Sequence, residues 1–171
     1  MRGVVNVSIS LLSGNKEFIQ IYNKYIDTVY RVCFMYMKNK QDTEDVVQIT
    51  FIKFLEYKGE FKDYDHIKAC LIITASNVCK NHLKHWWRKT VNIDSLEDMY
   101  SNINDDNYFL LDKILNLPKK YKLIIYMYYY EGYKIKEIAN KLNMKDSTVK
   151  SYLHRGRNLL KEVIEEDENE K

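Results

Sequence analysis

Two short amphipathic stripes with a four-residue break between them, spanning Lys134 to Arg157, constrain this chain more than any other feature. Ile135, Ile138, Ala139 and Leu142 recur at helical spacing and define one apolar face. Asn143-Met144-Lys145-Asp146 interrupts the pattern. Asp146 or Ser147 is expected to cap a second helix by accepting from its free backbone N–H groups. Val149, Leu153 and Leu160 carry the core into that helix, which leaves Lys150, Ser151, His154 and Arg155 facing outward. A cationic, hydroxyl-bearing outer face on the second helix of such a pair suits insertion into a major groove. An ordinary helical hairpin with a solvated basic face has the same pattern, so the hairpin alone does not decide the function.

Composition extends the helical reading to the whole chain. A single Pro and five Gly in 171 residues leave few tight turns, and alternating strand patterns are nearly absent. The net charge of +3 conceals a partition. Residues 1–89 carry 14 Lys/Arg against 9 Asp/Glu, whereas residues 90–112 carry none against 6. Residues 113–161 carry 12 against 3, and residues 162–171 carry 1 against 6. Basic blocks alternating with acidic ones suggest two polyanion-binding bodies, an acidic connector and a solvated acidic tail. Cys33, Cys70 and Cys79, an odd number on predicted helices, argue for free thiols in a reducing cytosol. No apolar run is long enough to span a membrane. The Val4–Leu12 stretch is broken by Asn6, Ser8 and Ser10 and lacks a small-residue cleavage site, so residues 1–14 read as a flexible leader, not a signal peptide.

Periodicity predicts a first helix from about Lys16 to Met37, with Phe18, Tyr22, Tyr25, Val29, Val32 and Tyr36 on one stripe. Asn39-Lys40-Gln41 breaks it. Asp42 or Thr43 is expected to cap a second helix that reaches Tyr57 and is buried through Val47, Phe51, Phe54 and Leu55. A polar-aromatic loop, Gly59 to Asp65, leads to a third helix from His66 to Trp87, with Ile67, Leu71, Thr74, Ala75 and Val78 inward and a basic, aromatic far end. Residues 90–108, rich in Asp, Asn and Ser, have linker chemistry. Leu117-Pro118 suits a boundary, with Pro118 at the first turn of the next helix, which carries Ile124, Ile125, Met127 and Tyr128 into Gly132. The expected fold is all-α: two small helical domains (15–89 and 109–163) joined by an acidic flexible linker, the second a helix-turn-helix, with a tail at 164–171.

Three motifs in this order resemble the sigma factors of bacterial RNA polymerase, of the compact extracytoplasmic-function type, from Phe18 to Val163. They are Asp42-Thr-Glu-Asp-Val-Val-Gln-Ile-Thr-Phe51, the helix Ala69–Leu83, and Leu117-Pro118 followed by Glu131-Gly132 and Thr148–Arg157. The resemblance implies that Asp45 and Gln48, which share a helix face, bind core polymerase together with Glu44, and that the chain's contacts on polymerase are the β′ coiled coil and the β flap. Ile49 stands where the family usually has an acidic residue, Cys70 at a usual Trp and Ile73 at a usual Arg. For the promoter −10 element the resemblance implies Phe61, Lys62 and Tyr64 in the loop, then Asn77, Lys80, Lys84 and Arg88 on the third helix. An aromatic ring there stacks an unstacked base and an Asn amide reads a base edge; the other reading of Phe61 is a core anchor of the loop. For the −35 element it implies Thr148, Lys150, Ser151, His154, Arg155 and Arg157. Promoter DNA, core polymerase and an anti-sigma factor are the implied partners, in the cytoplasm.

Rival classes fare worse. Cys70, Cys79, His82 and His85 fit no zinc spacing and drift around one helix, so neither a metal nor another cofactor is expected. Five Arg in the chain and no Gly-rich phosphate loop disfavour a DNA-processing enzyme or NTP hydrolysis, and no catalytic residue is assigned. A stand-alone helix-turn-helix regulator remains the alternative, opposed by the Asp45/Gln48 segment and the basic-aromatic third helix.

Overall fold

The computed structural model describes residues 15–86 and 113–169, with side chains described for 16–84 and 113–162. The expected leader, the 90–108 linker, Trp87 and Arg88 therefore lie outside the described residues. Packing divides the chain into two compact units, Met1–Ser95 and Leu96–Lys171.

Three helices build the first unit: α1 Asn15–Met37, α2 Lys40–Leu55 and α3 Tyr64–Trp86, each packed on the other two. The helical stripes decide which faces meet. Tyr25, Val29 and Val32 of α1 are buried with Val47, Phe51 and Phe54 of α2 and with Ile67, Leu71, Ala75 and Val78 of α3. From Val32 to Met37 every residue of α1 is buried, so its last turns are covered all round. At its start the stripe loosens: Phe18 is half-buried and Tyr22 exposed, although the Tyr22 ring lies 4.7 Å from that of Phe51. Buried hydroxyls find partners, as they must in an apolar core. The Tyr36 hydroxyl lies 3.1 Å from Ser76 Oγ, and Thr50 Oγ1 donates to the Val46 carbonyl at 2.7 Å. Burial pushes the Tyr36 pKa up to about 12. Thr74, expected inward, is half-buried, as are Cys70 and Ile73. The three cysteines are free thiols. The Cys33 thiol and then burial hold the buried Cys79 protonated.

The cap of α2 differs from expectation. Lys38 adopts a positive φ of 60° and Asn39 an extended backbone, so the helix starts two residues before Asp42. Asn39 Oδ1 then accepts from the Asp42 N–H at 2.9 Å, and Thr43 Oγ1 donates back to the Asn39 carbonyl. Asp42 and Thr43 support the first turn from within; Asn39 is the cap.

The second unit begins with a short helical turn at 113–116, closed by the Leu117 N–H on the Ile114 carbonyl at 3.1 Å. Buried Lys122 reaches back to donate to the Leu115 carbonyl at 2.9 Å, which ties that turn to the next helix. Pro118 stands at the cap of α4, Lys119–Ile125, just outside the helix instead of in its first turn. The helix widens into a π-helical turn, Tyr126–Tyr130. An i→i+5 turn advances each side chain by a smaller angle than an α-turn; Ile124, Ile125 and Met127 are buried and Tyr128 is 37 % exposed. Gly132, at φ +74°, reverses the chain there, a conformation that costs glycine little. The helices α5 Ile135–Leu142 and α6 Asp146–Asn169 follow. Asn143 ends α5 in the left-handed conformation that Asn tolerates. Asp146 proves to be the first residue of α6, with Thr148 N–H bonding the Lys145 carbonyl at 2.9 Å. Its carboxylate therefore complements the positive end of the helix dipole from inside the first turn, and it is not the cap. The backbone of α6 continues to Asn169, beyond the predicted domain end at 163.

Candidate nucleic-acid interface

The α5–α6 pair carries the first set of candidate side chains. Ile138 and Ala139 of α5 and Val149, Leu153 and Leu160 of α6 are buried, with Ile135 and Leu142 at the margin. The Lys134 N–H is held by Glu137 Oε2 at 2.7 Å, which fixes the entry to α5. With its apolar stripe committed inward, α6 presents Lys150, Ser151, His154, Arg155 and Arg157 as exposed side chains, and Thr148 is half-buried. Lys150, Ser151, His154 and Arg155 fall within two turns on one face. The helix thus offers three kinds of group together: point-charge ammonium, forked guanidinium and neutral hydroxyl or imidazole.

On α2, Glu44, Asp45 and Gln48 are exposed beside the buried Thr43, Val46 and Val47. Glu44 is partly engaged, 3.9 Å from the Lys40 ammonium. Two residues not selected from the sequence for this surface join the face. Ile49 and Ile52 are exposed, Ile52 by 55 %, and with Asp45 and Gln48 they complete an i, i+3, i+4, i+7 set. That spacing is visible in the sequence, where Ile49 stands at a position the family usually fills with an acidic residue.

The loop before α3 and the outer face of α3 hold the remaining candidates. Phe61 is 1 % exposed, its ring 5.2 Å from that of Phe54 and 5.0 Å from that of Tyr57. A ring so enclosed has no face to offer a base, so Phe61 anchors the loop and is not its stacking platform. Tyr64 keeps 39 % of its surface exposed; one ring face has the Lys24 ammonium over it at 4.1 Å, and its carbonyl accepts from the Tyr25 hydroxyl at 2.9 Å. Lys62 is exposed, with its backbone N–H on His66 Nδ1 at 3.3 Å. On α3, Asn77 and Lys84 are exposed and Lys80 half-buried, and desolvation lowers the Lys80 pKa. Asn77 lines an open cavity of about 360 Å³ between α2 and α3, with Lys53, Glu56, Tyr57, Thr74, Val78 and Asn81. Lys53, Glu56, Tyr57 and Asn81 had no sequence signal of their own, because the cavity joins two helices by tertiary packing. Two amides, a carboxylate, an ammonium and an exposed tyrosine supply the donors, acceptors and ring face that a planar heterocycle needs. Among the described residues, no group of three or more His, Cys, Asp or Glu is placed to hold a metal ion, and no helix is long and apolar enough to cross a membrane.

Comparison with known proteins agrees across both units. The family model for sigma-70 region 2 matches residues 21–89, and that for sigma-70 region 4 matches residues 110–160. The extracytoplasmic-function sigma factor SigW of Bacillus subtilis is 26 % identical over 166 residues, 86 % of this chain and 88 % of its own. SigM of the same organism is 26 % identical over 159 residues, 88 % of this chain and 97 % of its own. In fold, the chain is similar to the sigma factor RpoE of Bartonella quintana, solved in complex with the anti-sigma factor NepR, with a TM-score of 0.63 at 18 % identity over 88 % of this chain and 98 % of that one. It is equally similar to CnrH, solved with the cytosolic domain of CnrY, with a TM-score of 0.63 and 18 % identity over 94 % and 96 % of the two chains. With both sigma-70 regions matched in order over more than two thirds of its length, the chain belongs to the sigma-70 family of RNA polymerase sigma factors, is of the extracytoplasmic-function type, and serves transcription initiation.

Proposed function

We propose that the division of labour follows the three surfaces. The α2 face of Asp45, Gln48, Ile49 and Ile52 meets the β′ coiled coil of core polymerase, with Glu44 at its edge. The second unit meets the β flap, and α6 reads the −35 element through Lys150, Ser151, His154 and Arg155, with Thr148 and Arg157 on flanking phosphates. The cleft between α2 and α3 takes a base of the −10 element after it leaves the stack. No ATP chemistry is invoked, so opening must draw on binding energy. Extruding a base costs a few kcal/mol, and a stacked, hydrogen-bonded base returns about 1–3 kcal/mol from stacking alone. The observation that supports this most directly is the 360 Å³ cavity with the Asn77 and Asn81 amides in its wall. Tyr57 and Tyr64 supply exposed ring surface in place of Phe61, while Lys62, Lys80 and Lys84 supply charge for the phosphates. Arg88 belongs to the same proposal by resemblance. A protein antagonist that covers the α2 face is the matching proposal for regulation, in keeping with the complex of RpoE with the anti-sigma factor NepR. The same proposal has the chain act in the cytoplasm, where polymerase and promoter DNA meet.

Permanganate footprinting of holoenzyme tests the cleft. Asn77→Ala is expected to reduce thymine reactivity on a duplex promoter more than it reduces initial binding, with no rescue on a pre-melted bubble. Normal opening on the duplex removes Asn77 from the mechanism.

A further inference from the structure

We propose that Lys24 is a positioning residue for capture of the unstacked base: from α1 it fixes the ring of Tyr64 at the start of α3. The proposal rests on the reading of Tyr64 as ring surface for a base of the −10 element. Three contacts between α1 and α3 carry it.

The first is the ring contact. Lys24 is exposed on α1, and its ammonium stands 4.1 Å from the centre of the Tyr64 ring. At that distance the negative face of the ring attracts a cation. The ring is held from that side, while Tyr64 keeps 39 % of its surface open. The second contact fixes the backbone beneath the ring. Tyr64 is the first residue of α3, and its carbonyl accepts from the Tyr25 hydroxyl at 2.9 Å. Tyr25 is itself 5 % exposed, so this anchor belongs to the core of the unit. The third joins the other two. The same Lys24 ammonium lies 5.5 Å from the centre of the Tyr25 ring. Two successive residues of α1 thus hold Tyr64 at once, Tyr25 by its carbonyl and Lys24 by its ring.

A ring that turns freely must be stopped before a base can stack on it, and the lost freedom counts against binding. Lys24 stops it in advance. The ammonium also changes what the ring offers. Two aromatic faces both carry negative charge and repel when stacked squarely. A cation on one face of Tyr64 draws on that charge, so a base meets a less repulsive surface on the other. Lys24 therefore acts on the base through Tyr64 without touching it.

The test uses holoenzyme assembled with the full chain, and a single-stranded oligonucleotide that wild-type holoenzyme selects from a randomised library. Lys24→Met keeps an apolar stem and removes the cation. It is expected to weaken binding of that strand about threefold, the size of one exposed cation–π contact, and to leave the salt dependence of binding unchanged. Lys24→Arg keeps a cation for the ring and is expected to bind as wild type does. In a Tyr64→Ala background Lys24→Met is expected to add nothing. Wild-type affinity in Lys24→Met, beside a loss in Tyr64→Ala, overturns the proposal and leaves Tyr64 its role. An undiminished loss in the Tyr64→Ala background, with a salt slope shallower by about 0.7, also overturns it, since Lys24 would then hold a phosphate directly. Wild-type binding by Tyr64→Ala overturns the proposal together with the reading of Tyr64 beneath it.

Discussion

Phe61 and Lys80 show what burial demands of single side chains. Phe61 lies in a loop yet is as buried as the centre of a helix, enclosed by Phe54, Tyr57 and His66. Truncating such a ring typically costs about 3–5 kcal/mol. Phe61→Ala should therefore lower the urea midpoint of the first unit and impair every function of that unit alike. Tyr64→Ala, at an exposed ring, should leave the midpoint in place and reduce permanganate reactivity selectively; circular dichroism and footprinting on the two variants separate these outcomes. Lys80 is a different case. Its pKa is depressed by desolvation below 10.5 in the folded chain, so between the depressed value and 10.5 the unfolded chain binds more protons. Stability contributed by this site therefore rises with pH through that window. Lys80→Met should raise stability at pH 7, abolish that alkaline increment, and weaken binding to single-stranded DNA. Urea titrations at pH 7 and pH 9.5 measure the first two, and equal increments in both proteins would exclude the desolvation cause.

Among the elements, the helical stripes could be read from sequence because 3.6-residue periodicity is local information, and the tertiary fold had only to honour it. That is why Tyr25, Val29 and Val32 of α1, Phe51 and Phe54 of α2, and Ile138 and Val149 around the turn lie where their spacing put them. Features set by packing between elements had no such trace. Phe61 belongs to no stripe, the cavity at Asn77 draws on two helices, and the π-helical turn at Tyr126–Tyr130 changes the angular step under Tyr128. The cap of α2 was missed for a narrower reason: three residues, Asp42, Thr43 and Asn39, all have capping chemistry, and only the backbone at Lys38 and Asn39 selects among them. Asn39→Ala should cost about 0.5–2 kcal/mol by freeing the Asp42 N–H. Asn39→Asp, which keeps an acceptor at the helix N-terminus, should restore most of it. Thermal unfolding of the two variants checks this, and an unchanged midpoint in Asn39→Ala would return the capping role to Thr43.

For the whole molecule, the question is how two small units act as one factor, and the proposed answer is the shared polymerase. Residues 113–161, with 12 basic against 3 acidic side chains, already suit DNA, but phosphate contact is nearly sequence-blind and weakens with salt. Docking on polymerase supplies the missing selectivity by fixing where each unit can reach. The α2 face is suited to that role because its exposed isoleucines do little for the fold. Burying an isoleucine against a partner is worth about 1.5–3 kcal/mol, whereas one left half in water adds far less to its own domain. With about half of Ile52 still open to a partner, Ile52→Ala should therefore lower core affinity about fourfold or more, without moving the unfolding transition. Asp45→Ala with Gln48→Ala should act likewise through lost polar contacts. The two effects should also respond differently to ionic strength. The Asp45 contribution should fade between 50 and 500 mM salt, about the range over which the Debye length falls towards a few ångströms, while the Ile52 contribution should persist. Titration of labelled core enzyme with each variant at the two ends of that range measures both. If Ile52→Ala binds core as wild type does while melting at a lower temperature, the residue belongs to the fold and the α2 face is polar in function as well as in family pattern.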